Sequence, residues 1–118
     1  MAEAGLFLGW GPPVHGRERK SLDVFNESIQ WYVELQQTGN IESFEVVLLE
    51  PQGGDLDGFV LIRGSQEQIA ALRASEDFER LTTRATLIVE NVGVVGAYIN
   101  EGLARGMGIY QAQLDELT

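Results

Sequence analysis

The sequence predicts an α+β domain: a four-stranded antiparallel sheet with two main helices on one face and one more helix at the C-terminus. Three observations lead there. Apolar runs with strand chemistry alternate with amphipathic stretches in the order β-α-β-β-α-β. The 118 residues, 44% of them hydrophobic, amount to one domain spanning 1–118, without internal repeat, linker or low-complexity tract. The central hairpin reads as apolar on both of its faces.

The elements follow in chain order. Leu6-Phe7-Leu8-Gly9-Trp10 is a short apolar run ended by Gly11-Pro12-Pro13, a strand leading into a loop. Over about residues 17–38 the pattern is helical. Leu22, Phe25, Ile29 and Tyr32 recur at helical spacing, Val24, Trp31 and Leu35 widen the stripe, and Gly39 stops it at C′. Residues 41–50 are rich in strand formers, residues 51–58 are loop chemistry, and Phe59-Val60-Leu61-Ile62-Arg63 is a strand, which makes a long-looped hairpin. Ser65-Gln66-Glu67-Gln68 is a capping box opening a helix that turns Ile69 and Leu72 inward. Ser75 caps a second short turn holding Phe78 and Leu81, and the run from Thr86 to about Val92 reads as the fourth strand. Beyond it, Ile99, Leu103, Met107, Tyr110, Leu114 and Leu117 predict a helix over about 100–117. Gly106 and Gly108 each cost that helix roughly 1 kcal/mol relative to Ala, so packing has to support it.

This order is the split-βαβ, ferredoxin-like arrangement. Right-handed crossovers place both main helices on one sheet face, and the other face should then be polar. It is not. In a register pairing Glu45 with Arg63 and Val47 with Leu61, one face carries Glu45, Val47, Leu49, Phe59, Leu61 and Arg63. The other carries Phe44, Val46, Leu48, Val60 and Ile62. The expected last strand adds Leu87 and Val89 to one side and Ile88 and Val92 to the other. Exposing six or so such side chains forgoes on the order of 10 kcal/mol, at ~1.5–3 kcal/mol each. Association costs a comparable ~4–15 kcal/mol. A twofold copy of the chain is the commonest cover, so a homodimer through the sheet face is expected. The alternative is a C-terminal helix folded back over the second face.

Charge removes other classes. Eighteen acidic residues against eight basic ones give a net charge of −10. Only Arg17, Arg19 and Lys20 cluster, around Glu18, so neither nucleic acid nor an anionic membrane is an expected partner. Without cysteine and with one histidine, neither a zinc–thiolate nor another transition-metal site is expected. The N-terminus lacks the basic region of a signal peptide, and no apolar stretch has a membrane span's length. The expectation is a soluble cytoplasmic protein. No nucleophile elbow or Walker-type loop is present, and no cofactor is implied. Gly53-Gly54 with Asp55 beside it does not suit phosphate, and Asp55-Leu56-Asp57-Gly58 lacks the other ligands of a calcium loop.

The segments Gly9-Trp10-Gly11, Val14-His15-Gly16-Arg17-Glu18, Val24-Phe25-Asn26-Glu27 and Ile41-Glu42-Ser43-Phe44-Glu45 resemble a group of small uncharacterised bacterial proteins of the dimeric α+β barrel superfamily. The likeness runs over nearly the whole chain and implies two ferredoxin-like protomers packed sheet to sheet. The superfamily includes cofactor-free quinone-forming monooxygenases, haem-degrading monooxygenases, muconolactone isomerases and stress-related proteins of unknown role. Their catalytic motifs do not match. The haem-degrading group has an Asn early in the first strand, where this chain has Leu6 to Trp10. No catalytic residue carries over.

Five residues stand out for binding: Trp10, His15, Arg17, Glu45 and Arg63. His15 is the one imidazole and so the one candidate catalytic base of that kind. Its loop shares a sheet end with residues 51–58, where His15 and Arg17 could meet Asp55, Asp57 and Arg84; the plainer reading is a solvated loop histidine. Glu45 and Arg63 are either a polar anchor for a ligand or a cross-strand ion pair, and Glu90 carries the same ambiguity. Trp10, Trp31 and Tyr32 either line a pocket for an apolar or aromatic molecule or are plain core. Three functions remain open. The chain is a homodimer binding a small apolar or aromatic molecule between sheet and helices. Or it is a cofactor-independent monooxygenase or isomerase, with His15 as base and Arg17 or Arg63 holding an anion. Or it is a structural or regulatory interaction module with a filled interior and no ligand.

Overall fold

Side chains on a strand alternate between faces, and that period makes Leu6, Leu8, Val60 and Ile62 one stripe. The stripe is the centre of the core in the computed structural model, which describes residues 2–118. The elements are β1 (Ala4–Trp10), α1 (Glu18–Gln37), β2 (Ser43–Leu48), β3 (Gly58–Gly64), α2 (Gln66–Ala74), α3 (Glu76–Thr86), β4 (Gly93–Tyr98) and α4 (Asn100–Leu117). The strands form one antiparallel sheet in the order β2-β3-β1-β4. The first three helices cover one face, burying Val24 and Tyr32 from α1, Ile69 and Leu72 from α2, and Phe78 and Leu81 from α3. Gly39, at φ 77°, ends α1 in the left-handed conformation that suits glycine.

The Ser65 box forms as the sequence requires. The Gln68 N–H donates to Ser65 Oγ at 3.1 Å, and the Ser65 N–H donates to Gln68 Oε1 at 2.8 Å. Ser75 Oγ accepts from the Phe78 N–H at 3.1 Å, but it opens an 11-residue helix rather than a short turn.

Two expectations need correction. In the hairpin, Glu45 faces Leu61 and Arg63 faces Ser43, two residues from the expected register. A slip of two keeps every side chain on its face, so the face assignment stands. The fourth strand is not at residues 86–92. Phe78, Leu81, Ala85 and Ile88 continue at helical spacing, and this amphipathic stripe carries α3 through Thr86 against the β-branched run that follows. Residues 88–90 instead hydrogen-bond to residues 11–14, through Val14 N–H to Ile88 O, Glu90 N–H to Pro12 O and Gly11 N–H to Glu90 O. The fourth strand is Gly93–Tyr98, which pairs with β1 despite two glycines.

The C-terminal helix forms where its periodicity places it, but it does not fold back over the sheet. Its first turn is tied to the N-terminal segment: Asn100 Nδ2 donates to Ala2 O at 2.6 Å, and Gly102 lies so close to the Glu3 carbonyl that a Cβ would collide with it. From there α4 projects away, and no residue of it is buried. The radius of gyration, 16.2 Å, exceeds the ~13.5 Å of a compact chain this long.

Replacing Ser65 with Ala removes an N-cap and is expected to lower stability by about 1 kcal/mol in chemical denaturation, with an unchanged denaturant slope.

Candidate functional site

An apolar opening in the helix-covered layer lies beside Trp10. The apolar stripe of α1 must cover the sheet over β1, β3 and β2, and toward the hairpin-loop end it does not close onto the strands. A cavity of about 560 Å³ remains there, within the size range of small-molecule sites. Leu8, Trp10, Val46, Leu48 and Val60 form its sheet wall, and Leu22, Val24, Phe25, Ile29 and Tyr32 its α1 wall. Leu49 and Pro51 close it from the hairpin, and Leu81, Ala85, Ile88 and Val89 from α3 and the turn after it. Backbone bonds fix this end: Asp57 N–H to Trp10 O and Leu49 N–H to Asp57 O, both 2.8 Å. The Trp10 ring meets Phe25 edge-on, with centroids 6.0 Å apart.

The lining contains few polar groups. Glu18 and Asp57 are its ionisable carboxylates, and no Lys, Arg or His lines it. Ser21 and Ser28 line it too, but Ser21 Oγ donates to Glu18 O and Ser28 Oγ to Val24 O, each at 2.7 Å. Tyr32 is 3% exposed, wedged against Phe44 with ring centroids 5.5 Å apart. Burial pushes its phenol well above the ordinary tyrosine value, so the group is a neutral O–H donor at physiological pH.

The five singled-out residues do not converge. Trp10 is on the cavity wall. His15 and Arg17 are exposed in the β1–α1 loop and outside the lining, although Pro13 and Glu18 on either side belong to it. No ion pair joins His15 or Arg17 to Asp55 or Asp57 among the described residues, and Arg84 pairs with Glu27 at 2.8 Å instead. Glu45 and Arg63 lie on the uncovered face, on the far side of the sheet from the cavity, in a diagonal ion pair of 3.3 Å. Glu90 sits on the turn after α3 rather than on a strand. Trp31 packs on Tyr32 and Phe78. Ser21, Ser28, Asp57 and the rim residues Leu48 and Leu49 were not foreseen as a group. The available signal was that Ser21, Phe25, Ser28 and Tyr32 share one helical face, two hydroxyls inside an apolar stripe.

The uncovered face carries Phe7, Val47, Phe59, Leu61, Val95 and Ala97 by register, with Phe7 stacked on Phe59 at 5.0 Å. Glu45 and Arg63 are its charged residues and offset one another. Among the described residues no helix is long and apolar enough to cross a membrane.

No protein-family model and no curated protein sequence matches the chain. Solved structures do. A dimeric protein of unknown function and ferredoxin-like fold from Bacteroides fragilis matches at a TM-score of 0.59 and 11% identity, over 81% of this chain and 96% of that one. SnoaB, a cofactor-independent oxygenase from Streptomyces nogalater, matches at 0.54 and 15%, over 84% and 95%. A hydroxynitrile lyase from Passiflora edulis matches at 0.62 and 15%, over 86% and 97%. At such identities the likeness is one of fold, and the chain has the ferredoxin-like fold.

Proposed function

We propose that this protein binds a small, uncharged apolar or aromatic molecule in the cavity between α1 and the sheet, and that it does so as a homodimer joined through the uncovered sheet face. The observation that carries the first part is the cavity itself. It is walled by Leu8, Trp10, Phe25, Ile29, Val46 and Val60 and fixed at its mouth by backbone hydrogen bonds. A filled interior would favour an interaction module without a ligand; an open one of about 560 Å³ favours a binder. The carboxylates of Glu18 and Asp57, with no cation in the lining itself, disfavour an anionic ligand.

The dimer reading rests on the uncovered face. It is apolar over most of its area, and its Glu45–Arg63 pair leaves it without net charge in a chain of net charge −10. A second copy could therefore press against it without bringing like charges together. The exposed stripe of α4, with Leu103, Met107, Tyr110 and Leu114 at 41% exposure or more, supplies further apolar surface for the same partner. The Bacteroides fragilis neighbour is described as dimeric. An enzymatic reading with His15 as base is less well supported, because His15 stands outside the cavity lining.

Light scattering is expected to give twice the 13.0 kDa chain mass at micromolar concentration, and Phe59→Glu to halve it. A wild-type mass of one chain refutes the dimer. Nile red, a neutral aromatic dye, is expected to bind wild type. Ile29→Trp, which fills the cavity, should weaken binding at least about tenfold, a loss of about 1.4 kcal/mol. His15→Ala should leave it unchanged. Equal binding by wild type and Ile29→Trp would move the ligand elsewhere.

A further inference from the structure

We infer that the Tyr32 hydroxyl is the hydrogen-bond donor that orients the bound molecule, and that this molecule is an uncharged apolar ring bearing a carbonyl acceptor. The inference deepens the ligand-binding reading and rests on it.

Every fully buried side-chain nitrogen or oxygen among the described residues has a hydrogen-bond partner. The Tyr32 hydroxyl makes no side-chain or backbone hydrogen bond, although the residue is only 3% exposed. It is therefore not sealed in protein, and the space that Tyr32 lines is the cavity. A polar hydroxyl in apolar surroundings without a partner is costly, so water or ligand must meet it there. Its aim is fixed, since Phe44 at 5.5 Å and Trp31 at 5.8 Å hold the ring.

The other neutral hydroxyls of the cavity are acceptors only. Ser21 and Ser28 have given their protons to the Glu18 and Val24 carbonyls. Tyr32 and the half-buried Trp10 indole N–H thus supply the neutral side-chain donors of the lining, Tyr32 the more deeply buried of the two, and the partner of Tyr32 on the ligand must be an acceptor. Glu18 and Asp57 repel a carboxylate or phosphate in that role, which leaves a neutral oxygen such as a ketone. Ser28 lies one helical turn before Tyr32 on the same face, roughly 5–6 Å away between Cβ atoms. A ligand hydroxyl at about that distance from the carbonyl would find an acceptor there.

The test uses α-tetralone and tetralin, two bicyclic rings that differ by one carbonyl, titrated calorimetrically into wild type and Tyr32→Phe. Wild type should bind α-tetralone roughly 3- to 10-fold tighter than Tyr32→Phe does, and both proteins should bind tetralin equally. The infrared carbonyl stretch of bound α-tetralone should lie lower in wild type than in Tyr32→Phe. Equal affinity of both proteins for α-tetralone overturns the donor role, while tetralin binding keeps the cavity reading intact. Failure of wild type to bind either probe removes both readings. Should Tyr32→Phe fold poorly, a wild-type carbonyl stretch no lower than that of the ketone in alkane overturns the inference without it.

Discussion

A thin antiparallel sheet that is apolar on both faces is the constraint on which this molecule is built. One face is settled within the chain: Leu6, Leu8, Val60 and Ile62 disappear beneath α1, α2 and α3. The other presents Phe7, Val47, Phe59, Leu61 and Val95, and among the described residues no helix covers it: Leu56 of the hairpin loop touches only its edge at Gly9, and α4 docks by its first turns on residues 2–3 and Tyr98. Hydrophobic burial is nondirectional and proportional to area. The uncovered face and the α4 stripe therefore press toward the same outcome, a second surface of matching size.

The covered face creates the cavity as a by-product of its own geometry. A straight helix of 20 residues cannot follow a twisted sheet along its whole length. Where α1 departs from the strands, the gap is held open by large rings, Trp10 against Phe25 and Tyr32 against Phe44. Its backbone frame, Asp57 to Trp10 and Leu49 to Asp57, belongs to the hairpin loop. The same loop thus terminates the β2–β3 ladder and shapes the mouth of the site.

Local signals with one strong physical cause were legible. The Ser65–Gln68 box and the Gly39 stop appear where the residues demand them, because capping satisfies backbone groups that have no other partner. The α1 and α4 stripes likewise gave their helices. The fourth strand was not legible. Residues 86–92 have the better strand composition, and Gly93–Tyr98 the worse. The competing cause is the continuation of α3 through Thr86, after which Ile88 packs inward from the turn and residues 88–90 bridge to residues 11–14. For the site, Trp10 and Tyr32 could be suspected as rings that line or fill. That Glu45 and Arg63 lie on the other side of the sheet from them follows from strand parity, but which face the helices choose does not.

By itself, then, the amino-acid order determined the element sequence up to β3, the two-faced character of the sheet and the existence of a terminal amphipathic helix, since each follows from side-chain periodicity and capping within a few residues. Only the folded chain decided where β4 lies, which face α1 to α3 cover, that α4 stands clear of the body and that a cavity opens beside Trp10. These are outcomes of competition between distant segments for the same surfaces. Long-range pairing and packing settle them, and no local pattern encodes them.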